Sequence, residues 1–380
     1  MNSEIIHDVC LNMLPGVGPR TYNKLVKKFK KSENIFKASR KELLKCPGIG
    51  PRVAEEILNH ERNYDPREEL ERARLADIKI INRQDPLYPE SLRNIYDAPI
   101  ILYIRGNAHL LKNYDRNIAI VGTRRPTNYG LQMTEALATE ASYASWTIIS
   151  GLAVGIDSKA HHTAVQLKRP TIAILGGGIG KIYPKDNLKL ARDICDHGAL
   201  VSEYPILFPP DRRTFPMRNR IIAALSRSVL VVEAGLNSGS LITANQALEY
   251  GRSVFALPGR VDIPQSRGCH QLLKQGAILT ESFKDIYEEF NLELGSNRKS
   301  AKKEQTEKQE NREFDLQLDE NERRIMEILK SGELHVDKIC ELSELNVGQV
   351  LATLLGLETH KLIRLLPGKK YELTNRRQYE

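Results

Sequence analysis

Between Ile118 and Leu257, short β-branched runs alternate with longer stretches whose apolar residues recur at helical spacing. The runs Ile118–Val121, Thr147–Ser150, Thr171–Leu175, Ala199–Val201, Val229–Val232 and Val254–Leu257 are almost continuously apolar, as strands covered on both faces must be. Helices are predicted between them over Tyr129–Ala144, Ser158–Leu167, Asn187–Asp196 and Leu241–Tyr250. This alternation specifies an α/β fold with a Rossmann-like, doubly wound, mostly parallel sheet. Strands at Ile78–Ile81 and Ile100–Ile104 are expected to extend it on the N-terminal side, giving a sheet domain over residues 76–290.

The two ends of the chain follow other patterns. LPGVGPR at Leu14–Arg20 is echoed by CPGIGPR at Cys46–Arg52, each followed by a helical pattern. The repeat resembles paired helix-hairpin-helix units and predicts a helical, SAM-like domain over residues 1–75. Glycines in such hairpins let backbone amides approach a phosphate, but Gly-rich turns also simply connect the helices of a small bundle. Residues 291–318 contain Gly295–Glu313, rich in Lys, Glu, Gln, Asn and Ser and nearly devoid of apolar side chains, so a flexible linker is predicted. Residues 319–380 show helical patterns at Asn321–Leu329, Val336–Leu342 and Val347–Leu357, then a hairpin over Leu362–Leu373 around Pro367, Gly368 and Lys369. Three helices and a hairpin suggest a winged helix.

A length of 380 residues accommodates more than one core, and 41% apolar with 27% charged residues is ordinary for soluble domains. The five cysteines are scattered without a CxxC pair, which predicts no zinc clamp or redox couple and a reduced cytosol. No basic-then-apolar leader and no long apolar run is present, so a cytoplasmic protein without a membrane partner is expected. The formal charge of +8 suggests a polyanionic partner. Residues 1–75 carry 15 basic against 11 acidic side chains and residues 115–290 carry 20 against 16, whereas residues 319–380 carry 10 against 11. The polyanion therefore belongs to the first two-thirds of the chain.

In an open parallel sheet, ligands sit beyond the carboxyl ends of the strands. There the sequence places Gly122-Thr123-Arg124-Arg125-Pro126, then Gly151–Asp157, Gly176–Lys181, and Glu233–Ser240 with Ser238, Gly239 and Ser240 entering a helix. Glycines and helix N-termini suit anions. No GxGxxG follows the first strand and no GxxxxGK[ST] exists, so a nicotinamide cofactor and P-loop ATP hydrolysis are both disfavoured and no cofactor is expected. Between Phe208 and Arg220, the residues Arg212, Arg213, Arg218 and Arg220 are interleaved with Phe215 and Asn219 ahead of an apolar helix at Ile221–Leu225. Arginine clamps phosphates bidentately and an aromatic face can stack an unpaired base.

Gly122-Thr123-Arg124, Ser150–Asp157 with Ala160-His161, Tyr183-Pro184, Ser202-Glu203, Phe215–Arg220, Ser238–Ala244 and Pro258-Gly259 together resemble the DNA-processing protein A (DprA, or Smf) family over roughly residues 80 to 285. The resemblance implies a protein of natural transformation that binds single-stranded DNA, protects incoming strands, loads the RecA recombinase onto them and dimerises through the Rossmann-like domain, without catalysis. It implies phosphate contacts from Arg124, Ser150, Gly151, Arg218, Asn219, Arg220 and Ser240, with Lys181 and Lys185 nearby.

Other chemistries compete for the same residues. Asp157, His161 and His162 could suggest a metal or acid–base site, but a helix-capping Asp and a packed His are expected, with no metal. Glu203 and Glu233 could be paired catalytic carboxylates, but pairing with the Arg218 and Arg220 region is expected instead. The rival function is a Rossmann-type phosphoribohydrolase acting on nucleoside monophosphates, whose PGGxGT run is absent here. The third C-terminal helix lacks Lys and Arg, so contact with a protein through exposed positions near Leu354 or Leu357 is expected rather than base readout.

Overall fold

The structure, a computed structural model, describes residues 3–290, 319–359, 362–366 and 369–373. The predicted linker lies outside them, as do Lys361, Pro367 and Gly368. Nine strands form one sheet: β1 (Lys79–Asn82), β2 (Ile101–Gly106), β3 (Asn117–Val121), β4 (Thr147–Ser150), β5 (Thr171–Ile174), β6 (Ala199–Ser202), β7 (Ser228–Val231), β8 (Ser253–Ala256) and β9 (Ile278–Leu279). Their spatial order is 1-2-6-5-4-3-7-8-9. From β6 through β9 all neighbours are parallel, while β1 and β2 join antiparallel beyond β6. The chain winds outward from β3 to β6, then returns to lay β7 on the other side of β3. That reversal opens a crevice at the carboxyl ends of β3 and β7.

Alternation along the strands divides the interior into two cores. Ile172, Ile174 and Val201 face one side, packed with Ile221, Ile222 and Leu225 of the helix Thr214–Leu225. Ala173, Leu175 and Leu200 face the other, where they share a core with Leu11, Leu25, Leu43 and Ile57 of the N-terminal helices. Those helices are built on the repeated hairpin. Gly16 and Gly48 both adopt φ +84, and Gly18 and Gly50 precede helices Pro19–Phe29 and Pro51–Leu58, each opened by its proline. Val17 and Ile49, between the glycines, are buried anchors.

The second unit comprises residues 136–146 together with the chain from 280 onward. Trp146 lies edge-on to Phe283 at 5.4 Å and stacked near Phe290 at 5.6 Å. Helices Glu320–Leu329, Val336–Ser343 and Val347–Thr359 combine with β10 (Leu334–His335), β11 (Ile363–Leu366) and β12 (Lys370–Leu373), arranged antiparallel in the order 10-12-11, to make the winged helix. Leu354 and Leu357 are fully buried there, not exposed as expected, because with Val350 they form the inward stripe of the third helix. Its exposed apolar residues are Val347 and Leu351.

A buried polar cluster ties the N-terminal helices to the sheet. Asp8 accepts hydrogen bonds from the Tyr22 hydroxyl at 2.8 Å, from the Ser32 hydroxyl, and from Asn82 Nδ2 on β1 at 2.9 Å. Glu69, also buried, accepts from the Ile206 amide at 2.7 Å, and Asn12 Nδ2 donates to the Glu203 carbonyl at 2.9 Å. Removing the Asp8 carboxylate strands three donors, each costing about 1–3 kcal/mol if left unsatisfied. Asp8→Ala should therefore lower stability by about 2 kcal/mol or more. The check is the urea midpoint followed by circular dichroism; an unchanged midpoint would count against the cluster.

Candidate functional site

The crevice at the switch point is a cleft of about 930 Å³. Its walls come from the loops after β3 and β7, from one face of the helix Thr214–Leu225, and from the turn at Pro264 and Arg267. Five arginines line it, Arg124, Arg125, Arg212, Arg218 and Arg267, against a single carboxylate, Asp157. That imbalance in a concave site favours an anion.

The loop after β3 is strung between two neighbours. The Thr123 amide donates to the Glu233 carbonyl at 2.7 Å and the Ile156 amide to the Thr123 carbonyl at 3.3 Å. A Cβ on Gly122 would come within 2.6 Å of Ile156, so the position requires glycine. Thr123 Oγ1 accepts from the Arg125 amide at 3.2 Å, a turn that presents Arg124 outward. The Arg124 guanidinium lies 5.6 Å from the centre of the Phe215 ring, whose other neighbour is the half-exposed Tyr183 at 5.7 Å. Cation, ring and phenol form one surface.

The helix carrying Phe215 begins at Thr214, not at Ile221 as the apolar run predicted, and its periodicity separates the arginines. Phe215, Arg218, Asn219 and Ile222 face the cleft, while Arg220 points into the protein. Arg220 is 1% exposed and holds both oxygens of Glu203 at 3.0 and 2.6 Å, with Asp97 at 3.4 Å. The expected pairing of Glu203 is present, but the geometry leaves Arg220 no route to a phosphate. Arg218 is only 4% exposed; its Nη1 donates to the Gly151 carbonyl at 2.6 Å and to the Ile174 carbonyl. Burial lowers its pKa to about 10, opposed by the field of Asp157, whose own carboxyl is pushed up by burial. Asn219 accepts from Arg218 Nε at 3.1 Å and donates to the Gly239 carbonyl at 3.2 Å, joining this helix to the loop after β7.

Several residues expected at the phosphates are committed elsewhere. Ser150 is fully buried and donates to the Ile120 carbonyl at 2.6 Å, and Gly151 is roofed by the Arg218 guanidinium. The glycines at 176–180 do not cradle a ligand: a Cβ on Gly178 would lie 2.0 Å from the Pro205 carbonyl, and the Gly178 and Gly180 amides donate to the Phe208 and Ile206 carbonyls, both at 2.9 Å. Their openness serves the protein's own chain. Lys181 and Lys185 are exposed but do not line the cleft.

Glu233 has no arginine partner of the expected kind. It accepts from the Thr127 amide at 2.9 Å and hydroxyl at 2.5 Å, and so holds, at the helix's positive end, the threonine that caps Asn128–Tyr143, the Thr127 hydroxyl accepting from the Gly130 amide at 3.1 Å. Asp157 is not a cap either; Gly155 occupies that place and Asp157 accepts from the Gly151 amide at 3.1 Å. By contrast Ser238 does cap the helix Gly239–Glu249, with its hydroxyl 2.8 Å from that of Ser240. Among the described residues no group of His, Cys, Asp and Glu could hold a metal ion, and no helix is long and apolar enough to cross a membrane. Arg125 belongs to the loop expected after the first strand but is not among the expected phosphate contacts, and Arg267 is not expected at the site at all. Arg125 adjoined a recognisable motif, but Arg267 follows β8 with nothing local to mark it.

The fold and the cleft define a Rossmann-like protein with tandem hairpin and winged-helix modules and a switch-point crevice lined chiefly by arginines. The family model for the DNA recombination-mediator protein A matches residues 79–291, a SAM-like helix-hairpin-helix tandem matches 11–62 and a DprA winged helix domain matches 310–369. Protein Smf of Synechocystis sp. is 34% identical over 98% of this chain and 99% of its own length. DNA processing protein DprA of Bacillus subtilis is 47% identical over 53% of this chain and 68% of its own. The X-ray structure of DprA from Streptococcus pneumoniae superposes with a TM-score of 0.65 at 32% identity, covering 75% of this chain and 97% of that one. DprA from Helicobacter pylori, solved for its single-stranded DNA binding mode, gives 0.51 at 33% identity over 58% and 96%. The chain belongs to the DNA recombination-mediator protein A family, DprA or Smf.

His161, behind the cleft, is fully buried with Nδ1 2.7 Å from the Thr171 hydroxyl, the packed histidine expected; burial lowers its pKa to about 3. Below about pH 6.5 the unfolded ring takes a proton that the native ring refuses. The stability it contributes is therefore complete above pH 6.5 and is lost as the pH falls toward 3. Stability should decline by up to about 1.4 kcal/mol per pH unit from this ring. His161→Gln should flatten the decline between pH 6.5 and 4.5 in chemical denaturation, and an unaltered slope would contradict the assignment.

Proposed function

We infer that the switch-point cleft binds single-stranded DNA and that the protein is a recombination mediator of natural transformation. In this reading it acts in the cytoplasm as a homodimer formed through the Rossmann-like domain, protects incoming strands and loads RecA onto them, and catalyses no reaction. The observation that carries the reading is the surface made by Arg124, Phe215 and Tyr183 inside a cleft lined by five arginines. Cations hold a backbone and an exposed ring accepts an unpaired base, a combination that a duplex with stacked bases cannot use. The single-stranded DNA binding of the Helicobacter pylori relative agrees with it. Phosphate contacts fall to Arg124, Arg125 and Arg212, with Ser238, Gly239, Ser240 and Asn219 as neutral donors; Arg218 supports them from beneath. The phosphoribohydrolase alternative is disfavoured because Glu233 is 3% exposed and spent on Thr127. Release of free base from a nucleoside monophosphate would reinstate it.

Single strands should bind more tightly than duplexes of equal length at moderate salt; equal affinities would remove the reading. Arg124→Ala should weaken binding to all sequences alike, with the slope of log K against log salt shallower by about 0.7, the value of one single-strand phosphate. A folded variant with unchanged affinity and slope would place the groove elsewhere.

Mediation is tested separately, with RecA ATP hydrolysis on strands precoated with a single-strand-binding protein. The protein should shorten the lag before RecA activity, and sedimentation should give twice the chain mass. No effect on the lag would leave binding without loading.

A further inference from the structure

The arginine at the β8 end of the cleft is held there by the backbone. The Ala234 amide donates to the Gln265 carbonyl and the Gly268 amide donates to the Ala234 carbonyl, both at 2.7 Å, so the turn at 264–268 is docked on both sides of Ala234. A Cβ on Gly268 would lie 2.6 Å from the Ala234 carbonyl and 2.9 Å from that of Gly235, so the close approach requires glycine. Ser266 is buried between these bonds, while Arg267 is exposed and lines the cleft together with Asn237, Ser238 and Gly239. Two neighbouring exposed arginines of this unit are neutralised locally, Arg213 by Asp211 at 2.9 Å and Arg260 by Asp262 at 2.9 Å. Among the described residues no carboxylate forms an ion pair with Arg267.

Cations and donors therefore follow the strand order across the mouth of the sheet. Arg212 comes after β6, Arg124 and Arg125 after β3, the Ser238 loop after β7 and Arg267 after β8. We propose that Arg267, with Asn237, Ser238 and Gly239, forms an additional phosphate subsite that takes the backbone of nucleotides running past the switch point toward β8. The subsite rests on the reading of the cleft as a single-strand site and lengthens it in this chain. Arg267 supplies the charge; the Ser238 hydroxyl and the loop amides offer neutral donors.

The experiment measures binding of labelled oligothymidylates of increasing length, at several salt concentrations, to the full chain and to Arg267→Ala, Arg267→Lys and Arg124→Ala. Arg267→Ala should match the wild type on short oligomers. On long ones it should bind about three- to tenfold more weakly, with a salt slope shallower by about 0.7. Its affinity should stop rising at a shorter length. Arg267→Lys should restore the slope. If Arg267→Ala equals the wild type at every length while Arg124→Ala is weakened, the subsite is wrong and the cleft stands. If the wild type binds none of the oligomers, the cleft reading fails and the subsite with it.

Discussion

Parallel strands end with carbonyls directed at one edge of the sheet, and at the ends of β4 and β5 those carbonyls, from Gly151 and Ile174, are both turned onto the buried guanidinium of Arg218. A cation taken out of water is costly unless its donors are satisfied, and this one is satisfied by backbone with a carboxylate, Asp157, close enough to favour its charge. The clamp fixes the rotation of the helix Thr214–Leu225. With Arg218 turned down onto the strands, Phe215 one turn earlier must stand at the mouth, and Asn219 must reach the Ser238 loop. Arg220, on the opposite side, secures the same rotation through Glu203 and Asp97.

The acidic residues near the mouth are spent on structure. Glu233 neutralises one helix N-terminus, Glu203 an internal arginine, and Asp157 the clamp itself. What remains at the surface is cationic and neutral-polar, the combination a flexible phosphodiester requires and a hydrolytic carboxylate pair does not. The positive character of the cleft is thus set by where its carboxylates are hidden, as much as by where its arginines are shown.

The parallel sheet was legible because strands such as Ile118–Val121 and Val229–Val232 are apolar on both faces, a pattern that few other structures tolerate. The winged helix and tandem hairpins were legible for similar local reasons. The roles of the individual arginines were not. The apolar run places a helix only at Ile221–Leu225, behind the arginines, whereas the helix takes in the arginines from Thr214 on, with Pro216 tolerated in its first turn. Once that stretch is helical, two residues separate a cleft-facing side chain from a buried one. Glycines were ambiguous in the same way: Gly176–Gly180 advertised close backbone approach, but the approaching groups are the Phe215 ring at Gly176 and the segment from Pro205 to Pro210 at Gly177, Gly178 and Gly180. Arg267 was invisible because the partner that positions it, Ala234, is remote in sequence.

The union of the N-terminal helices with the sheet also orders events in time. Asn12 finds the carbonyl of Glu203 across 191 residues and Glu69 finds the amide of Ile206 across 137, so during synthesis the N-terminal helices cannot complete their interior until β6 has followed them out. At about 5–20 residues per second, that is a wait on the order of 10–40 s with one face of the tandem hairpins uncovered. For that interval the apolar face that the helix Ser3–Met13, with Leu11, turns toward β1 and β2 has no sheet to cover it, so the tandem hairpins reach their final interior only late in synthesis.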